Sequence, residues 1–177
     1  MQNIASLARR RKIYLMEDAA QALGSKYKNK FAGTIGDIGV FSFTSTKTLV
    51  TGEGGAICVK KKTLYYKITL YRNYGYMKKN YCHEVAGYNL KMSNLLASIG
   101  FSQMNRLNQI LKKRKKVYAL YKKKLKDNKF SFQKIEKRIN LVPWTCSVKL
   151  NKKYTKKFRN YVIKKLKKNG IEVKRAY

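Results

Sequence analysis

The sequence predicts an α/β fold, on three observations. Apolar runs of strand length recur at residues 13–16, 38–41 and 56–59, bounded by polar or glycine-rich turns. Stretches with apolar residues at helical spacing alternate with or follow them, at residues 2–11, 61–71, 93–125 and 154–168. The first run stops on Glu17 and Asp18 and the second on Ser42, and in α/β sheets ligands collect beyond the carboxyl ends of strands.

Taken in order, residues 2–11 carry Ile4 and Leu7 on one face with Ala5 and Ala8 beside them, the end of a helix that feeds the strand at Ile13. Residues 24–36 contain Asn29, Gly33 and Gly36 and predict a short hairpin-like excursion before the strand that ends on Ser42. Thr44, Ser45 and Thr46 then turn the chain into Lys47, and Gly52-Glu53-Gly54-Gly55 closes that turn before the third strand, in which Cys58 reads as core packing. Residues 61–71 predict a short helix, and residues 73–88, with four tyrosines and the chain's one histidine, His83, an irregular loop.

Ser93 is a good N-cap, and the apolar residues from Leu95 to Leu125 predict one long helix, bent near Gly100 or Asn108 and ended by Asp127-Asn128. A strand over residues 144–150, an amphipathic helix over 154–168 stopped by Asn169-Gly170, and a last strand over 171–174 complete the chain.

Composition narrows the classes. Of 177 residues, 44% are hydrophobic and 12% aromatic, enough for a globular core rather than a disordered chain. No apolar run approaches the ~20 residues of a membrane span, and the first residues lack a signal-peptide core, which points to the cytoplasm. Cys58, Cys82 and Cys146 form no C-x-x-C pair, so neither a disulfide framework nor a zinc site is suggested. The 42 Lys and Arg against 8 Asp and Glu give a formal net charge of +34, a field that would attract nucleic acid. The excess is mostly lysine in runs such as 112–116, 122–124 and 164–168, on helix faces that should be solvated, and it reads as surface rather than as a nucleic-acid motif.

The chemistry that suits the 17–55 stretch is condensation of a lysine with an aldehyde cofactor. A lysine is a poor nucleophile while protonated, with a free pKa of about 10.4, and must be desolvated or set beside other positive charge. Lys47 lies among small hydroxylic and apolar residues that meet this need. Pyridoxal 5'-phosphate adds two demands: a carboxylate for its ring nitrogen, which Asp18 can supply, and donors for its phosphate, to which Ser42 can contribute. Each residue also has a plainer role. Asp18 can cap a turn, Gln21 can be a helix-start polar residue, Asn89 a loop cap, and His83 a satisfied loop histidine rather than a substrate contact.

Three ordered motifs carry a resemblance: Glu17-Asp18-Ala19-Ala20-Gln21-Ala22, the segment from Gly36 to Phe43 (G-D-I-G-V-F-S-F), and the segment from Lys47 to Gly55 (K-T-L-V-T-G-E-G-G). Together they resemble the sugar aminotransferases of the DegT/StrS type, pyridoxal-phosphate enzymes of fold type I in the aspartate aminotransferase superfamily. The likeness continues through Tyr71-Arg72-Asn73-Tyr74-Gly75 and Gly87-Tyr88-Asn89-Leu90-Lys91-Met92, where Lys91 replaces the family's usual arginine, and more weakly to Gly170-Ile171-Glu172 and Tyr177.

The resemblance implies the C-terminal part of a type I large domain, a mostly parallel sheet with helices, over residues 1–108. A connecting helix and the start of a small α+β C-terminal domain would occupy 109–177. It assigns the covalent cofactor link and proton transfer to Lys47, the ring-nitrogen acid to Asp18, a ring contact to Gln21, and phosphate contacts to Ser42 and, from a neighbouring subunit, to Asn89. Members with histidine at the position of Lys47 are dehydratases, so lysine implies transamination. Expected partners are a nucleotide-linked keto-sugar, glutamate as amino donor, and a second copy in a homodimer with shared sites. The family's N-terminal phosphate turn and ring-stacking aromatic are not found before Asp18, so the resemblance also implies a fragment. Two other readings are a non-catalytic basic protein that binds nucleic acid and another fold type I enzyme such as a lyase.

Overall fold

The computed structural model describes residues 1–77 and 82–175; Tyr177 and part of the 73–88 loop lie outside them. Helix α1 (Gln2–Arg10) has no acidic residue in its first turn and ends on Arg9 and Arg10, cations that suit the negative end of a helix. The chain then reverses at Lys12, in the left-handed region with φ 54°, and enters β1 (Met16–Asp18). Only the end of the 13–16 run is strand. Leu15 instead donates its N–H to Asp37 Oδ2 at 2.9 Å and accepts from the Asp37 N–H at 2.8 Å, which fixes the start of the neighbouring strand.

A hairpin follows, β2 (Lys26–Tyr27) and β3 (Lys30–Phe31), antiparallel and joined by Lys28 and Asn29 at φ 47° and 64°. Two consecutive left-handed residues make the tight turn whose twist matches paired strands, so the expected excursion is present. Strands β4 (Ile38–Ser42) and β5 (Gly55–Val59) complete a sheet of order β1-β4-β5, parallel between β1 and β4 and antiparallel between β4 and β5. In register, Glu17 faces Gly39 and Asp18 faces Val40, while Ser42 pairs with Gly55. Gly39 cannot be anything larger: a Cβ there would come within 1.8 Å of the Gly33 carbonyl oxygen. Cys58, expected in the core, is exposed on β5, which forms the edge of this sheet and has β4 as its only neighbour among the described strands.

Helix α2 (Lys62–Arg72) leads into a loop held by the backbone pairs Tyr74 to Tyr88, Tyr88 to Tyr71 and Leu90 to Arg72. The long helix expected after Ser93 is two helices, α3 (Asn94–Met104) and α4 (Leu107–Lys124). Ser93 does cap the first, accepting the Leu96 N–H at 3.4 Å. The interruption falls at Asn105, a residue that competes for backbone hydrogen bonds and disfavours helix interiors.

Beyond it, β6 (Phe130–Phe132) pairs antiparallel with β8 (Val148–Leu150), and β7 (Ile139–Asn140) returns to β2. The strand expected over 144–150 is thus limited to its last three residues. Helix α5 (Lys156–Lys168) starts on a Thr155 cap that accepts the Phe158 N–H at 3.2 Å and stops at Gly170, φ 75°. The final strand expected over 171–174 is absent. The Ile171 N–H closes back on the Leu166 carbonyl at 3.0 Å as part of the helix C-cap, and no described strand lies alongside to pair with the segment.

Among the described residues, Ala19, Leu49, Leu70 and Val142 are buried apolar side chains, whereas Leu95 and Phe101 on α3 are more than 70% exposed. No helix among the described residues is long and apolar enough to cross a membrane.

Candidate functional site

The buried face of the β1–β4 pair, opposite Asp18, is organised by a residue to which the sequence alone assigned no role. Glu17 points inward, 9% exposed, and its carboxylate accepts three backbone N–H groups: Ile35 and Gly36 at 2.6 Å on Oε1, and Gly33 at 3.0 Å on Oε2. This one side chain holds the 33–36 loop against the sheet and so sets where β4 begins. Strand alternation sends the next residue, Asp18, to the other face, where it is exposed. There Asp18 Oδ1 accepts the Ala20 N–H at 3.0 Å, the local cap anticipated as its plainer role, and leaves its second oxygen free for a ligand. Ala19 extends the β1–β4 ladder through its N–H to Val40 O at 2.9 Å, and an Ala22 to Ala19 turn carries Gln21, exposed, three residues after Asp18.

Ser42 ends β4 two residues beyond the Val40 level, about 7 Å further along the strand. Its hydroxyl lies 3.3 Å from that of Thr44, so two hydroxyls stand together at the strand exit. The loop that follows is shut at its base by Phe43 N–H to Gly54 O at 2.9 Å and Thr51 N–H to Phe43 O at 2.8 Å. Closure requires Gly52 and Gly54 at φ 91° and 95°, a region that side chains with a Cβ rarely enter. From α3, the Gln103 side chain accepts the Val50 N–H at 3.1 Å and donates to the Val50 carbonyl, matching a backbone pair and fastening the far side of the loop.

Lys47 sits at the head of this loop in a tight turn, its N–H on Thr44 O at 3.0 Å. Its ammonium lies 4.9 Å from the centroid of the Trp144 ring. Trp144 Nε1–H donates to Thr46 O at 2.7 Å, and Arg114 of α4 donates from Nη2 to Lys47 O at 3.0 Å and from Nη1 to Trp144 O at 2.9 Å. Burial holds the Arg114 guanidinium below the usual arginine range, because it is half-withdrawn from water.

Asp18 and Ser42 therefore end the neighbouring strands β1 and β4, with Lys47 in the loop that follows β4, whereas Asn89 is exposed on a separate loop, bridged to Asn73. The two parts meet through Met92, whose methyl group occupies the space a Cβ on Gly54 would need, at 2.3 Å. His83 is engaged within its own loop, its Nδ1 donating to Tyr74 O at 2.6 Å and its ring edge-on to Tyr76, which is the loop role anticipated for it. No group of three or more acidic, histidine or cysteine side chains able to hold a metal occurs among the described residues.

The profile of the DegT/DnrJ/EryC1/StrS aminotransferase family matches residues 1–177. The chain is 40% identical over 126 residues to the GDP-perosamine synthase of Escherichia coli O157:H7, an alignment covering 71% of this chain and 35% of that protein. It is 34% identical over 175 residues to the GDP-perosamine synthase of Caulobacter vibrioides, covering 97% of this chain and 47% of that one. Among solved structures, the putative sugar aminotransferase Spr1654 from Streptococcus pneumoniae, in its PLP form, superposes with a TM-score of 0.82 at 25% identity, over 89% of this chain and 42% of that one. The chain thus spans less than half the length of these proteins.

Proposed function

The chain belongs to the DegT/DnrJ/EryC1/StrS aminotransferase family, and on that premise we propose that it serves a pyridoxal 5'-phosphate-dependent transfer of an amino group from glutamate to the keto group of a nucleotide-linked sugar, in the cytoplasm. One observation supports this reading: an uncommitted carboxylate oxygen (Asp18) and a hydroxyl pair (Ser42 and Thr44) lie at the carboxyl ends of two neighbouring parallel strands, and the loop that follows the second strand carries a primary amine (Lys47). That donor set fits the cofactor. The similarity to proteins named GDP-perosamine synthase supports a nucleotide-linked sugar as the substrate class.

When bound, the cofactor withdraws the electron pair left on the amino-bearing carbon as its proton departs. Everything else falls to the chain. Lys47 would hold the cofactor covalently, and its Nζ is the group that would carry the proton the reaction moves. Asp18 would offer its carboxylate to the ring nitrogen, Gln21 would pack against the ring, and Ser42 would donate to the phosphate. Asn89, exposed on its loop, would reach the phosphate of a second copy, and the exposed Leu95 and Phe101 of α3 would offer apolar contact for that homodimer. We assign residues 1–108 to the cofactor-binding domain and 109–177 to the connecting helix and the smaller domain.

The test is to offer the purified protein glutamate and a panel of nucleotide-linked keto-sugars and to follow 2-oxoglutarate and aminated sugar by mass spectrometry. Formation of both in equal amounts is expected. Cofactor attachment without any aminated sugar would point to another fold type I reaction. Salt-sensitive RNA binding without cofactor attachment would point to the basic-protein reading.

A further inference from the structure

Arg114 lies in the 112–116 run of basic residues, and a solvated helix face is what such a run ordinarily means. The structure gives it a different role. Its two terminal nitrogens bridge carbonyls that are far apart in sequence, Lys47 O at 3.0 Å and Trp144 O at 2.9 Å. Trp144 returns the connection through its indole N–H to Thr46 O at 2.7 Å and presents its ring to the Lys47 ammonium at 4.9 Å from the centroid. Three segments are joined in a closed circuit: the 46–47 turn, α4 and the segment before β8.

We propose that Arg114 and Trp144 form a clasp that positions Lys47, fixing the main chain on which it is carried and holding its amine on the indole face until an aldehyde takes it. Arg114 acts through the main chain of Lys47 and Trp144 through the ring face it offers the resting amine, so both are positioning residues, and the proposal rests on the functional reading given above. The chemistry of the clasp demands these residue types. A guanidinium presents N–H groups in a rigid fork and can serve two carbonyls at once, whereas an ammonium is a point donor on a flexible stem. An indole offers both a face attractive to a cation and an edge N–H, and phenylalanine keeps only the face.

Trp144 is the only tryptophan in the chain, so its fluorescence reports on the clasp directly, with no cofactor present. In the cofactor-free protein, K47M should change the emission of Trp144 by removing the ammonium from its ring. R114K should increase its quenching by acrylamide by loosening the 144 carbonyl. The second readout is the rate at which pyridoxal 5'-phosphate, trapped by borohydride, labels Lys47. R114K should slow this by about tenfold, the effect of losing one charge-assisted hydrogen bond, and W144F should slow it as well, with far-UV circular dichroism unchanged in both.

Wild-type emission in K47M would overturn the amine contact. Wild-type quenching together with a wild-type labelling rate in R114K would overturn the clasp, as would an unaltered labelling rate in W144F should R114K not fold. If the unsubstituted protein shows no preferential labelling of Lys47, the functional reading fails, and the clasp is then decided by the K47M and R114K emission results alone.

Discussion

Replacing Glu17 by glutamine keeps the size of the side chain and removes one of its two acceptors. Oε1 accepts two N–H groups at 2.6 Å and Oε2 one at 3.0 Å, so the glutamine carbonyl will take Ile35 and Gly36, leaving its amide against the Gly33 N–H. Gly33 is buried, and two donors facing each other there cost about 1–3 kcal/mol. For a chain of this size a loss of about 2 kcal/mol lowers Tm by about 4–8 °C. Glu17→Ala goes further, since the buried N–H groups of both Gly33 and Gly36 lose their acceptor, for a combined cost of roughly 2–6 kcal/mol. Thermal unfolding followed by circular dichroism reads the magnitude, and amide exchange at Gly33, Ile35 and Gly36 locates it. An alanine variant with wild-type Tm and wild-type protection at these amides would refute the claim that Glu17 organises the loop.

Three other outcomes are expected. Asp18→Asn retains the acceptor for Ala20 but not the charge, so turnover should fall roughly 100-fold or more while the fold stays intact; undiminished turnover would reduce Asp18 to a turn cap. Gly75→Ala, at φ 83° with a Cβ 1.8 Å from Val85 O, should destabilise by at least about 2 kcal/mol, whereas Gly52→Ala, also left-handed at φ 91° but facing open space, should cost only the conformational penalty of about 1–2 kcal/mol. Equal melting shifts in the two variants would contradict this. Burial pushes the Cys146 thiol up, which lowers its thiolate fraction at pH 8, so iodoacetamide should modify it more slowly than the exposed Cys58 and Cys82; peptide mapping showing Cys146 modified first would be inconsistent with its surroundings.

The parts of the fold legible in the sequence are those governed by local chemistry. Asn29 marked the hairpin turn, Ser93 the start of α3, and Asn169-Gly170 the end of α5, because caps and left-handed residues act within a few positions. What depended on distant partners was not legible. Residues 171–174 alternate like a strand but have none beside them, and Cys58 looks like core until β5 is seen to be the edge of its sheet. Within the candidate site, Asp18 and Ser42 were legible as strand-end residues, and β1 and β4 do end on them, with Lys47 in the loop after β4. Glu17 was overshadowed by Asp18, although alternation requires that one of two successive strand residues face inward. Arg114 was hidden in a basic run, yet Leu107, Leu111, Arg114 and Tyr118 share one helical stripe, and a cation on such a stripe is a signal. Trp144 could not be connected to Lys47 without the fold.

Lys47 is the proposed attachment point of the cofactor. Incubating the purified protein with a stoichiometric amount of pyridoxal 5'-phosphate, reducing with borohydride and mapping the modified peptides tests this against every other lysine of a highly basic chain at once. The predicted result is one dominant adduct on Lys47, abolished in Lys47→Arg because a guanidinium keeps its proton and cannot condense with the aldehyde. Adducts spread over the surface lysines, with Lys47 no more modified than the rest, would contradict it.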